Sequence, residues 1–183
     1  MNKYRLDSNN CVLMVIDIQE RLMQVMNRAQ QVYKNASILL ATAREFNIPV
    51  VLTEQYPKGL GPTVREIADN LPQEYFYLEK VEFSAYTPQL IDYLDKIERQ
   101  QIILIGSETH VCVFQTARDL QEAGFTVHLA GDAVCSRFDE NYLNGLELIK
   151  DSGAVITNTE TIVFDLLKAA GTPHFKNVSR LVK

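Results

Sequence analysis

The sequence predicts an α/β fold: a three-layer α/β/α arrangement around a mostly parallel sheet of about six strands. Two observations carry this. Apolar runs too short for helices recur along the chain and alternate with segments of helical period. Gly, Pro and capping residues fall at the joins between them. Such alternation implies right-handed crossovers, a parallel sheet and helices on both of its faces.

The first apolar run, CVLMVID, reads as a buried strand ending at Asp17. Residues 27–47 read as a helix, with Val32, Ala36, Leu39, Leu40, Ala43 and Phe46 on one face. IPVVLT is the second strand, followed by a loop rich in Gly and Pro, EQYPKGLGPT. VREIADNL is read as one or two helical turns, and YFYLEK as the third strand, ending at Lys80. Thr87-Pro88 opens the next helix, with a hydroxyl expected to cap it and Pro at the first helical position; that helix runs to about Arg99. QIILIG is the fourth strand, and residues 111–123 form a helix with Gly124 at the expected C-cap. FTVHLAGD is the fifth strand, 139–152 a helix, AVIT the sixth strand and 159–170 a helix before Gly171. The tail TPHFKNVSRLVK is expected to add a short helix. No linker, repeat or low-complexity stretch intervenes, so one domain over residues 1–183 is expected.

Composition narrows the function. Hydrophobic residues make up 46% and charged residues 22%, an ordinary globular balance. Net charge is −5 with no basic cluster, which argues against nucleic acid and anionic membrane as partners, though not against a small anionic substrate. No apolar run reaches spanning length, and the polar start MNKYRLDSNN lacks the apolar core of a signal peptide. The three cysteines, Cys11, Cys112 and Cys135, are an odd number at no metal-like spacing. Reduced thiols in a cytoplasmic protein are the expectation.

In a sheet of this kind, function sits at the carboxyl ends of the strands. Asp17 ends the first strand, Lys80 ends the third and Cys112 follows the fourth. Taken singly, each has an ordinary explanation: a turn or capping carboxylate, a solvated lysine, a small buried hydrophobe. Together they make a chemistry. A free thiol titrates near ~8.5 and is mostly protonated at neutral pH. A helix N-terminus and a nearby ammonium both favour thiolate, while the Asp17 charge, and Glu108 if its side chain points inward, oppose it; on balance a depressed thiol pKa is expected at Cys112. Asp17 can take the thiol proton and deliver it to a leaving group, and N–H groups at the helix start can hold an oxyanion.

The segments VLMVIDIQ, KVEFSAY and GSETHVCV resemble the three signature segments of the isochorismatase-like cysteine hydrolases, a family that includes nicotinamidases and carbamoylsarcosine amidase. The likeness covers nearly the whole chain, including GDAVCSR and SGAVITNTE. The loop TEQYPKGLGPTV and the ending HFKNVSRLVK are similar to the isochorismatase domain-containing subgroup. The resemblance implies the Rossmann-like isochorismatase fold, with Asp17, Lys80 and Cys112 as a triad. It also implies a non-proline cis peptide between Ser107 and Glu108, turning the Glu108 N–H toward an oxyanion beside that of Cys112. A homo-oligomer is expected on the same likeness. Metal-dependent nicotinamidases carry Asp-x-His after the second strand; Thr53-Glu54-Gln55 stands here, so no metal and no cofactor are expected.

Other residues are weighed with open alternatives. Glu54, Gln55 and Tyr56 either line a pocket or belong to an ordinary polar loop. Phe83 and Tyr86 are either an apolar pocket wall or core. Arg137 either binds a substrate carboxylate or forms a surface salt bridge. Asp132 and His128 are expected to be structural, and Cys11 and Cys135 to be small buried residues. Glu108 and Thr109 are expected to build the strand-to-helix elbow.

Three readings follow, the second of them in two forms. The first is a hydrolase cleaving a small amide, carbamoyl or ureide-type substrate through a Cys112 thioester. The second is a silent binding or scaffold protein on the same fold, or a vinyl ether hydrolase of the isochorismatase type, which needs no thiol. The third is a redox-sensing thiol protein, with Cys135 as the resolving partner if it lies near in space.

Overall fold

Six short strands account for the sheet: β1 (Cys11–Ile16), β2 (Val50–Gln55), β3 (Phe76–Lys80), β4 (Gln101–Ser107), β5 (Thr126–Cys135) and β6 (Val155–Thr157). The computed structural model describes residues 3–182, so Met1 and Asn2 of the polar start, and Lys183 of the tail, lie outside the described residues. Every neighbouring pair of strands is parallel, and the order is β3-β2-β1-β4-β5-β6. The chain steps outward from β1 to β3 and then returns to β4 on the other side of β1. That reversal opens a crevice at the carboxyl ends of β1 and β4, where ligands bind in sheets of this type.

The helices are α1 (Glu20–Met23), α2 (Ala29–Glu45), α3 (Pro57–Leu60), α4 (Arg65–Ala68), α5 (Pro88–Ile97), α6 (Phe114–Glu122), α7 (Asp139–Asp151), α8 (Thr159–Leu167) and α9 (Pro173–Val178). They cover both faces because the central strands have two apolar faces to bury. Along β1, Cys11, Leu13 and Val15 join a core with Val32, Leu39 and Leu40 of α2 and Ile162 and Leu166 of α8. Val12, Met14 and Ile16 join the opposite core with Leu90 and Leu94 of α5, Ala117 and Leu120 of α6 and Ile149 of α7. Each fully buried aliphatic side chain is worth about 1.5–3 kcal/mol, which is why these runs are apolar at every position rather than alternating. None of the described helices is long and apolar enough to cross a membrane.

The structure departs from the sequence reading in several places. The Gly- and Pro-rich loop contains one helical turn, α3. Thr87 occupies the N-cap of α5 with Pro88 next, but its buried Oγ1 has no hydrogen-bond partner among the described residues. The expected hydroxyl cap is not made; Pro88 presets the first turn and carries no N–H to satisfy. Side-chain caps form instead at Asn158 on α8 and Thr172 on α9. Strand β5 continues to Cys135, past Asp132, after a register shift between Leu104 and Gly106 on its partner. Helix α8 stops at Leu167, where Lys168 takes a positive φ of 60°.

Candidate active site

Asp17 leaves β1 at a left-handed φ of 48°, and strands on either side hold it there. Thr53 of β2 donates its hydroxyl to Asp17 Oδ1 at 2.6 Å, and Ser107 of β4 donates to the Asp17 carbonyl at 2.8 Å. Lys80, at the end of β3, reaches past β2 to place its ammonium 2.6 Å from Asp17 Oδ2. Both side chains are 0% exposed. The Lys80 Nζ also lies 2.8 Å from Gln55 Oε1, 3.1 Å from the Phe83 carbonyl and 3.3 Å from that of Glu82. An ammonium has three protons. With four oxygens around it, Lys80 is saturated, and its role in this arrangement is electrostatic.

The elbow after β4 begins at Gly106, whose φ is +129° and where an added Cβ would stand 2.0 Å from the Ile16 carbonyl oxygen. Only Gly fits both the conformation and the close approach to β1. The Ser107–Glu108 peptide is cis, as the family resemblance implied. Residues Thr109–Val113 then form a π-helical turn before α6. The N–H groups of Val111 and Val113 both donate to the Glu108 carbonyl, at 3.0 and 3.2 Å. Cys112 therefore sits inside a widened turn, not at the first turn of an α-helix starting at 111. Helix α7 presses on this turn at Gly145, where a Cβ would be 2.8 Å from the His110 nitrogen.

The Cys112 side chain is buried against the core formed with α5, α6 and α7, and the residue is 6% exposed. The expected depression of its pKa is overturned: the thiol is pushed up to about 12. Burial is the largest cause, and the Asp17 charge comes next. The Lys80 ammonium pulls the other way, while a hydrogen bond to Asp17 and the Glu108 charge add to the rise. One ammonium already paired to a carboxylate does not outweigh desolvation and two negative charges. Burial therefore favours the protonated form of the thiol.

The remaining sequence candidates sort by their contacts. Gln55 accepts from Lys80 and donates through Nε2 to the Val81 carbonyl at 2.8 Å, so it steadies the ammonium. Glu54 belongs elsewhere: its Oε1 accepts from the Thr63 N–H and hydroxyl, and its Oε2 from Tyr77. No group of three or more His, Cys, Asp or Glu that could hold a metal ion occurs among the described residues. Phe83 is an exposed residue that meets the site through its carbonyl, whereas Tyr86 packs edge-on against Phe125 in the core. Tyr56 is exposed and lines a shallow groove with Pro57, Val81 and Glu82 that borders Lys80. Arg137 pairs with Glu108 within the chain. Asp132 accepts from the N–H and hydroxyl of Thr159 at the start of α8, a structural role. His128 is buried in β5, and burial lowers its pKa. Cys11 and Cys135 are free, buried, and pushed up to about 12 by burial. Both lie in the core on the other side of the sheet from Cys112.

Sequence reasoning missed Gln19. Wholly buried, it donates to the Gln55 and Gly61 carbonyls and accepts from the Gln55 N–H at 2.7 Å. It ties the chain after Asp17 to the loop that carries Gln55. Its signal was a polar residue two positions beyond a strand-end carboxylate. Thr53 and Ser107 were also missed as supports of Asp17, because a hydroxyl's partner across a sheet leaves no local mark.

A doubly wound parallel sheet with an Asp–Lys pair and a thiol at its switch point defines a class of α/β proteins with a strand-end site. The profile of the isochorismatase domain family matches residues 11–161. A secreted isochorismatase effector of Phytophthora sojae is 38% identical over 183 residues, covering 98% of this chain and 87% of that protein. Isochorismatase domain-containing protein 2 of Danio rerio is 38% identical over 180 residues, covering 97% and 89%. Among solved structures, one described as MAR1 ribonuclease from Caenorhabditis elegans superposes with a TM-score of 0.93 at 35% identity, covering 97% of this chain and 92% of that one. The chain belongs to the isochorismatase family, whose fold is that of a hydrolase.

Proposed function

We propose that this chain is a cysteine hydrolase that cleaves a small amide, carbamoyl or ureide-type substrate. The observation that carries the reading is the buried Asp17–Lys80 pair set against the buried Cys112 thiol, whose pKa burial pushes up. The sulfur holds its proton tightly, so proton transfer to Asp17 accompanies formation of the S–C bond, as attack on the carbonyl acidifies the sulfur. Lys80 balances the Asp17 carboxylate before this step and again once Asp17 has passed the proton on. The N–H groups of Glu108 and Cys112 are the proposed donors to the oxyanion. Asp17 returns the proton to the departing nitrogen as the C–N bond breaks, leaving a thioester. Water then attacks the thioester, giving its proton to Asp17, and the thiol is restored as the acid leaves.

The position of Cys135 in the opposite core favours this over a redox pair with Cys112. The ribonuclease name of the C. elegans relative suggests a different substrate, but a net charge of −5 without a basic cluster argues against nucleic acid. A homo-oligomer is proposed on likeness to YcaC of Escherichia coli, described as an octameric hydrolase. The test is a hydrolysis screen over small amides, carbamoyl compounds and ureides, with RNA included and Cys112→Ala as the control. Turnover of such a compound should vanish in the folded variant. Substantial residual hydrolysis by pure Cys112→Ala protein would remove Cys112 as nucleophile.

A further inference from the structure

Two consecutive residues after β5 grip both arms of the turn that carries Cys112. The Ser136 hydroxyl, wholly buried, lies 3.0 Å from His110 Nδ1. Arg137 gives two bonds to one oxygen of Glu108: its main-chain N–H at 3.0 Å and its side-chain Nε at 3.2 Å. The Glu108 side chain is only 9% exposed, whereas that of Arg137 is 51% exposed. A carboxylate this deep, beside a nucleophile that must lose a proton, is costly unless neutralised. The groups bearing electrostatically on the thiol are Asp17 from the end of β1, Lys80 from the end of β3 and Glu108 on the elbow itself. From α7 the elbow meets the Gly145 backbone, while Asp139 of that helix is paired with Arg28.

We propose that Arg137 is a positioning residue, which neutralises the buried Glu108 carboxylate and so fixes the elbow and the electrostatic setting of Cys112. It acts through Glu108 and is not a substrate ligand in this arrangement. The inference rests on Cys112 being the nucleophile of the proposed hydrolase. Its test reads the thiol itself, so it stands or fails separately from turnover. Without the guanidinium, Glu108 keeps one main-chain donor and loses its countercharge, and the nearby negative charge holds the proton on sulfur more strongly.

The experiment follows iodoacetamide alkylation of Cys112, site-resolved by mass spectrometry, between about pH 7 and pH 10, with folding checked by circular dichroism. Arg137→Gln should slow alkylation roughly three- to tenfold across the rising limb of the profile. Arg137→Lys, which keeps the charge, should fall between wild type and Arg137→Gln. The double variant Glu108→Gln/Arg137→Gln, which removes both charges, should return to within about twofold of wild type. An unchanged profile in Arg137→Gln would overturn the proposal. So would an Arg137→Lys profile no faster than that of Arg137→Gln, or a double variant as slow as Arg137→Gln, since either makes the role purely one of packing.

Discussion

Replacing Lys80 by Met removes one partner of an ion pair that solvent does not reach. Four oxygens now face the ammonium: Asp17 Oδ2, Gln55 Oε1 and the carbonyls of Glu82 and Phe83. Met supplies volume but no donor, so a buried carboxylate is left without its countercharge. Breaking a buried pair from one side costs about 3–5 kcal/mol. For a chain of 183 residues, each kcal/mol moves Tm by about 2–4 °C, so Lys80→Met should melt roughly 6–20 °C below wild type. The total stability of a domain is about 5–15 kcal/mol, so the variant should still fold. The assay is thermal unfolding at pH 7 beside Asp17→Asn/Lys80→Met, which removes both charges and should recover at least half of the loss. A Lys80→Met Tm within about 2 °C of wild type would mean that the ammonium does not balance Asp17, and the electrostatic account of the site would go with it.

The same residues move the thiol in opposite directions. Asp17→Asn should speed Cys112 alkylation at neutral pH, because the Asp17 charge raises the thiol pKa, while Lys80→Met should slow it. Both should stop turnover, and equal profiles in the three proteins would uncouple the proposed triad. Gly106→Ala should fail to give soluble folded protein, since its Cβ would stand 2.0 Å from the Ile16 oxygen; a folded variant would show that β1 and β4 can part there. Burial lowers the pKa of His128, so the folded state binds fewer protons than the unfolded state as pH falls below about 6.5. The stability it contributes is present above that value and is lost as pH falls through the lowered folded pKa. His128→Gln should flatten the pH dependence of the denaturation midpoint between about pH 7 and pH 5, and an unaltered slope would assign that dependence to other groups.

The sequence by itself determined the strand–helix alternation, because strands buried on both faces must be apolar at every position. CVLMVID and QIILIG could be read as β1 and β4 for that reason. It also determined the residue types at the strand ends, since Asp17, Lys80 and Cys112 stand beside apolar runs that mark where the crevice must lie. Only the tertiary structure decided which atoms meet. Lys80 reaches Asp17 across an intervening strand, and Gln19, Thr53 and Ser107 join partners far away in sequence. The protonation of Cys112 was likewise beyond the sequence. Local reasoning sets the ammonium and the helix start against the Asp17 and Glu108 charges and expects a depressed pKa; the folded chain adds burial, the largest cause, and that tips the balance against one ammonium already committed to Asp17. Arg137 reads along the chain as either a ligand for a substrate carboxylate or one end of a surface salt bridge, and only the fold shows that its partner is the buried Glu108. Propensity and pattern are local, whereas desolvation and charge balance are sums over neighbours that the chain brings together only when it folds.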